Sequence, residues 1–148
     1  MSFTPGFKTI NVLAANQAVT SSIVLVDITG FTFALNAAKQ LEWRLRGVFT
    51  LGATGGFRFR ANSSSAPTAY NAEISITDVT TPTRFNAAQS AAADFANASA
   101  VASNYSIIAS GYILANAATT FSLQFAQENS TANPITLLQG MTLELWQF

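Results

Sequence analysis

The sequence predicts an all-β domain, a sandwich or barrel of roughly eight to nine strands of about 5–10 residues each. Three observations predict it. Apolar and polar residues alternate at period two in one segment after another. Turn-forming residues separate those segments: Thr29-Gly30, Asn36 to Lys39, Gly52 to Gly56, the stretch ANSSSAPT, Pro82, and Gln139-Gly140. No clear apolar stripe repeats at helical spacing. At 148 residues the chain is one domain, and such a domain buries roughly 68–70% of its unfolded surface without disulfide help.

Residues 1–17 contain Pro5 and Gly6, then the apolar patch Ile10 to Leu13. They read as an extended N-terminal arm leading into a domain over residues 18–148. The bland alternative is a first strand with a frayed end. Ser22 to Asp27 is a β-branched run, expected for a strand buried on both sides or at a sheet centre. Thr29-Gly30 interrupts it, and Phe31, Phe33 and Leu35 then alternate with Thr32 and Ala34.

Gln40 to Leu51 alternates strictly, with Leu41, Trp43 and Leu45 opposite Glu42, Arg44 and Arg46. Phe57-Arg58-Phe59-Arg60 follows the glycine-rich loop, so the pair reads as a hairpin. Closed symmetrically on Gly52, it sets Arg46 against Arg58 and Arg44 against Arg60. Like charges directly opposite are destabilising. One reading is a docking patch for an acidic partner or anionic ligand. The other is a solvated face neutralised by Glu42 and by Glu73 or Asp78, favoured because exposed charges cost little to leave in water. Tyr70 to Asp78 alternates again. Phe85 to Asn104 is rich in Ala, Ser and Asn. It reads as an irregular loop with at most a short strand, although alanine would permit a short helix.

The last forty-odd residues are the clearest. Strands are expected over Tyr105 to Leu114, Thr119 to Gln127 and Met141 to Phe148. Phe121, Leu123 and Phe125 share one face of the second; Met141, Leu143 and Leu145 share one face of the third.

The blocks SGYILANAATTFSLQFAQENS and TLLQGMTLELWQF resemble the closing strands of small jelly-roll modules in virion proteins of tailed bacteriophages. The block AVTSSIVLVDITGFTFALNAAKQLEWRLRGVFTLGATGGFRFR resembles their opening strands. The resemblance covers most of Ala18 to Phe148 apart from the middle, and its motifs are strand and turn patterns without catalytic residues. It implies a jelly-roll β-sandwich, similar to the tumour-necrosis-factor and C1q folds, of 8–9 antiparallel strands. It also implies a homotrimer in a virion assembled in the host bacterial cytoplasm, in contact with the major capsid protein or other virion proteins.

Composition narrows the function classes. There is no Cys and no His, which removes thiol chemistry, Ser–His–Asp triads and the commonest metal ligand. Carboxylates are dispersed; a glycosidase pair such as Asp78 and Glu128 has nothing to mark it, and no acidic cluster suits calcium. Gly52, Gly55 and Gly56 lack the Lys-Ser/Thr of a phosphate loop. Asn-X-Ser/Thr matches at Asn62, Asn97, Asn104 and Asn129 read as chance in so Asn- and Ser-rich a chain. The expectation is a non-enzyme with no catalytic residues, metal or cofactor. A net charge of 0 argues against a nucleic-acid partner. No membrane partner is expected: no signal sequence is visible, and a small outer-membrane barrel fits poorly because Trp146 and Phe148 fall on the polar face of the last strand.

Only 9% of residues are charged, against about 25% in a typical domain. Oligomer interfaces shed charge in this way. The resulting expectation is a capsid decoration, or cement, protein of the head. Its contact residues are expected at Phe3, Phe7, Lys8 and Ile10 of the arm and at Arg44, Arg46, Arg58 and Arg60. The alternative is a tail- or fibre-associated module that binds a host glycan, with Trp43, Tyr70, Tyr105, Tyr112 and Trp146 as candidate platforms. A signalling ligand of the tumour-necrosis-factor or C1q kind shares the fold class and ranks last.

Overall fold

The structure is a computed structural model that describes residues 7–52, 55–81, 83–98 and 100–148, and for Phe7 the backbone alone. In chain order the strands are β1 (Phe7–Val12), β2 (Gln17–Val19), β3 (Val26–Leu35), β4 (Gln40–Leu51), β5 (Phe57–Ser63) and β6 (Ala69–Asp78). There follow β7 (Arg84–Gln89), β8 (Phe95–Asn97), β9 (Ser103–Leu114), β10 (Thr119–Ala126), β11 (Ile135–Leu137) and β12 (Thr142–Gln147). Among the described residues there is no helix.

Four antiparallel pairings nest inside one another: β1 with β12, β3 with β10, β4 with β9, and β5 with β8. Apart from the innermost pair β5 and β8, which share a sheet, sequence neighbours along this set alternate between two sheets, ordered β1-β12-β4-β9 and β3-β10-β5-β8. A long ribbon folded over and rolled up gives this nesting, and the fold is a jelly-roll sandwich. The hairpin β6–β7 is an addition between β5 and β8. It extends the first sheet beyond β9. The small pair β2–β11 joins the same sheet beside the end of β4.

The inward faces are those that the alternation predicts. Leu41, Trp43, Leu45, Phe49 and Leu51 of β4 are buried, as are Phe121, Leu123 and Phe125 of β10. Phe49 stacks on Tyr105 at 5.1 Å within the first sheet and meets Phe57 and Phe59 of the second edge-on at 5.6 and 5.2 Å. Trp43 packs on Phe121 at 5.8 Å across the same gap.

Several expectations are corrected. The hairpin of β4 with β5 does not form, because the two strands lie in different sheets. The chain instead passes from β4 in the first sheet to β5 in the second. The crossing turns Phe57 and Phe59 toward Phe49 and separates the arginines that a hairpin would have opposed. The β-branched run before β3 is not a central strand. Residues 22–25 lie in the connection from β2 to β3, and Val24 is 68% exposed. The buried Gln127 side chain, 1% exposed, holds the start of this run: its Oε1 accepts from the Ser22 amide at 3.1 Å, while its Nε2 donates to the Asn133 carbonyl at 2.6 Å. Thr29-Gly30 does not end a strand either. It is a bulge inside β3, where Gly30 takes φ 80° and the register against β10 skips between Ser122 and Gln124. The bulge lets Ile28 and Phe31, three residues apart, both point inward.

The expected N-terminal arm is strand β1 from Phe7 onward, hydrogen-bonded along β12, with Leu13 in the core behind it. The Ala/Ser/Asn-rich stretch holds two strands, β7 and β8, in place of the single short strand that its composition allows. With these and the short β2 and β11, the described residues form twelve strands in place of eight or nine.

Phe49 is the ring that both sheets share. Phe49→Ala is expected to cost about 3–5 kcal/mol, the range for losing a buried Phe, in chemical denaturation. Val48→Ala, on the exposed neighbour, is expected to cost less than about 1 kcal/mol. Equal losses at the two positions would show that the sheets do not meet on Phe49.

Candidate interaction surface

The outer face of the first sheet is set row by row by strand register. One row runs Lys8, Trp146, Glu42, Tyr112, Asn71. The next runs Ile10, Glu144, Arg44, Ser110, Glu73, Ala88, and the one after it Val12, Thr142, Arg46, Ile108, Ser75, Asn86. The face is uneven. Its β1–β12–β4 half carries long side chains. Lys8 reaches Glu144 at 3.4 Å and lies over the Trp146 ring at 5.0 Å, with Arg44 at 5.9 Å from the same ring. Its β6–β7 half is lined by small side chains, Ser75, Ala88 and Ser110, which leave a shallow hollow of about 500 Å³ beside Glu73 and Ile108.

The outer face of the second sheet is satisfied within the chain. Arg58 Nε donates to Glu128 at 2.8 Å and lies 3.4 Å from Asp94, and Arg60 Nε donates to Asp94 at 2.6 Å. The Glu128 hydrogen bond, reinforced by the charges of Glu128 and Asp94, pushes the Arg58 guanidinium above its ordinary value against the pull of burial. Gln124 donates to Asp27 at 2.9 Å on the same sheet.

The predicted four-arginine patch is therefore two pairs on opposite faces of the sandwich. Arg58 and Arg60 are neutralised, although by Glu128 and Asp94 rather than by Glu42, Glu73 or Asp78. Asp94 is the only charged residue between Phe85 and Asn104; a lone acid in a neutral tract was the available signal. Arg44 and Arg46 stay on the first sheet, joined there by Lys8 and Ile10 through the β1–β12 pairing. Phe3 lies outside the described residues. Phe7 stands opposite Gln147 in β1. The residues that sequence reasoning missed on this face are Val12, Val48, Glu73 and Ile108. Their exposure follows from which strands are neighbours.

The aromatic candidates also divide. Trp43, Tyr70 and Tyr105 are core residues. Burial pushes the Tyr70 phenol up to about 12 despite Arg60, and its hydroxyl donates to the Ala61 carbonyl. Only Trp146 and Tyr112 face outward, with Glu42 between them in register. A cleft of about 350 Å³ opens between the β6–β7 hairpin and Asn97, Ala100 and Val101, lined also by Phe57, Phe85 and Tyr105 and by Asp78 and Arg84. Asp78 serves the turn. It accepts from Ser103 Oγ at 2.6 Å and from the amides of Thr80 and Thr81, and the Ser103 bond chiefly holds its carboxyl below the ordinary value. A glycosidase acid needs a shift in the other direction. Among the described residues no cluster of acidic side chains is arranged to hold a metal ion.

No family model and no curated protein matches the chain. Solved structures that overlap it include a VP2 subviral particle of infectious bursal disease virus, at 8% identity and a TM-score of 0.21, over 97% of this chain and 41% of that one. The T13 viral particle of the same virus overlaps at 7% identity and a TM-score of 0.22, over 98% of this chain and 40% of that one. The chain thus spans less than half the length of either. These overlaps are compatible with a structural role in a virion and, at such scores, carry no argument for one.

A carboxylate whose pKa is lowered by folding adds stability that is full above its unfolded value and is lost as pH falls through the lowered one. Asp78→Asn is therefore expected to be less stable than the parent at pH 7. Its unfolding midpoint should also fall less as pH drops from about 4 to 2. Parallel midpoint curves for the two proteins would remove Asp78 from the acid response.

Proposed function

We propose that the chain is a non-enzymatic structural protein of a tailed-bacteriophage virion, a homotrimeric decoration protein that cements the head. The observation that carries this reading is the contrast between the two outer faces. One pairs its arginines with acids of the same chain; the other leaves Ile10, Val12, Val48 and Ile108 exposed beside Arg46 and Glu73, which have no such ion pairs among the described residues. The resemblance of the opening and closing strands to phage virion modules and the charge-poor composition support it. A cement protein acts by adhesion. Each copy adds modest contact area between coat subunits, and many copies on one shell sum to a large resistance to expansion.

A second reading has its own observation. The row Trp146–Glu42–Tyr112, with Arg44, Asn71 and Ser110 around a shallow hollow of about 270 Å³, offers two aromatic side chains and several polar groups to a sugar ring. That would suit a tail or fibre module that binds a host glycan.

The deciding measurement is copy number in purified particles, by quantitative mass spectrometry against the major coat protein. A decoration protein is expected in fixed, high ratio to coat, and particles lacking it are expected to open at lower temperature. A handful of copies, with glycan-array binding abolished by Trp146→Ala, would establish the second reading instead. Absence from particles would overturn both.

A further inference from the structure

We infer that the outer face of the six strands β1-β12-β4-β9-β6-β7 is an interface between copies of this chain, in which the β1–β12–β4 half of one copy seats on the β6–β7 half of another. The inference rests on the oligomeric reading above and adds which surfaces meet. It also gives the β6–β7 hairpin, which the jelly roll does not need, a role as the receiving half.

Shape supports it. The first half is a ridge of long side chains, with Ile10 55% and Val12 57% exposed on the edge strand. The second half is a hollow floored by Ser75, Ala88 and Ser110, with Ile108, 55% exposed, at its margin. Charge supports it too. Among the described residues the Arg46 guanidinium has no hydrogen bond or ion pair, and the Glu73 carboxylate accepts only from the Ser110 hydroxyl at 3.1 Å. Within one copy these two side chains stand on strands separated by β9, about 10 Å apart, so a neighbour is the simpler partner. Area is sufficient for a two-fold pair, in which both halves of each face are covered: at 3.4 Å rise and 4.8 Å spacing the whole face presents about 850 Å², against ~800 Å² per partner in a standard interface. A three-copy ring covers only one half-face per contact, about 260–390 Å². The opposite sheet has exposed aliphatic residues too, at Val26 and the Ile23-Val24 approach to β3, but its arginines are already paired within the chain and leave no free guanidinium there for a second copy.

Sedimentation velocity of the purified full chain, over a dilution series, is the test. The parent is expected to form a closed oligomer. Ile108→Asp, Glu73→Arg and Arg46→Glu should each raise the concentration for half-assembly roughly thirtyfold or more, as removal of a residue central to an interface does. Each should keep the parent's circular dichroism and thermal midpoint when monomeric. Glu73→Arg combined with Arg46→Glu should recover assembly, which a merely destabilised fold would not do. Thr120→Asp, on the exposed face of β10 in the other sheet, should leave assembly unchanged. Two copies or three both uphold the interface, and only three upholds the trimer. An oligomer indifferent to these substitutions overturns the interface and spares the oligomer. A parent that stays monomeric overturns both and leaves the virion reading to the copy-number measurement.

Discussion

Phe49 sits where the two sheets meet. Its ring lies flat on Tyr105, its register partner on β9, and receives Phe57 and Phe59 from the facing sheet. The strand that carries it, β4, pairs with β9, β11 and β12 and is the spine of the larger sheet. Chain direction follows from the same contact. Once β4 has delivered Phe49 to the core, Phe57 and Phe59 can reach its other side only if the chain crosses to the second sheet. That crossing makes a roll out of what would otherwise be a meander, and the nested pairings close around it.

The same rule that fills the core decides what the surface can do. Period-2 strands send every second residue outward, so each sheet carries a decorated outer face. On the smaller sheet the outward residues find partners within the chain, as Arg58, Arg60, Asp94 and Glu128 do. On the larger sheet aliphatic residues and unmatched charges stand side by side. The face also holds Lys8, Glu42, Arg44, Arg46, Glu73 and Glu144, so binding there covers charged groups together with aliphatic surface and requires that the charges be matched. The aromatic row of Trp146 and Tyr112 lies on the same face, so any function by contact is concentrated there.

Much of the fold is legible in the sequence. Alternation names the inward residues of β4, β6, β9, β10 and β12, and glycine marks the β3 bulge, although local pattern makes it look like a break. Where alternation is weak the sequence says less. The run at residues 22–25 has strand-forming side chains, but Ser22 bonds to Gln127, a long-range partner with no local mark, and the run lies outside any strand. Strands β7 and β8 have few large apolar residues, so composition conceals them. The contact residues are half legible: Lys8, Ile10, Arg44 and Arg46 share one face, but Arg58 and Arg60 belong to the other.

By itself the sequence determined the β class, where along the chain most strands lie and which side chains face inward, because a two-residue period and turn chemistry are local properties. It also determined the absence of thiol and imidazole chemistry, which needs no geometry. Tertiary structure alone decided which strands are neighbours. The periodicity of β4 and β5 is the same whether they pair with each other or lie in opposite sheets, and only the burial of Phe57 and Phe59 against Phe49 selects between the two. That choice split the four arginines, brought β1 beside β12 and set the ridge and the hollow on one face.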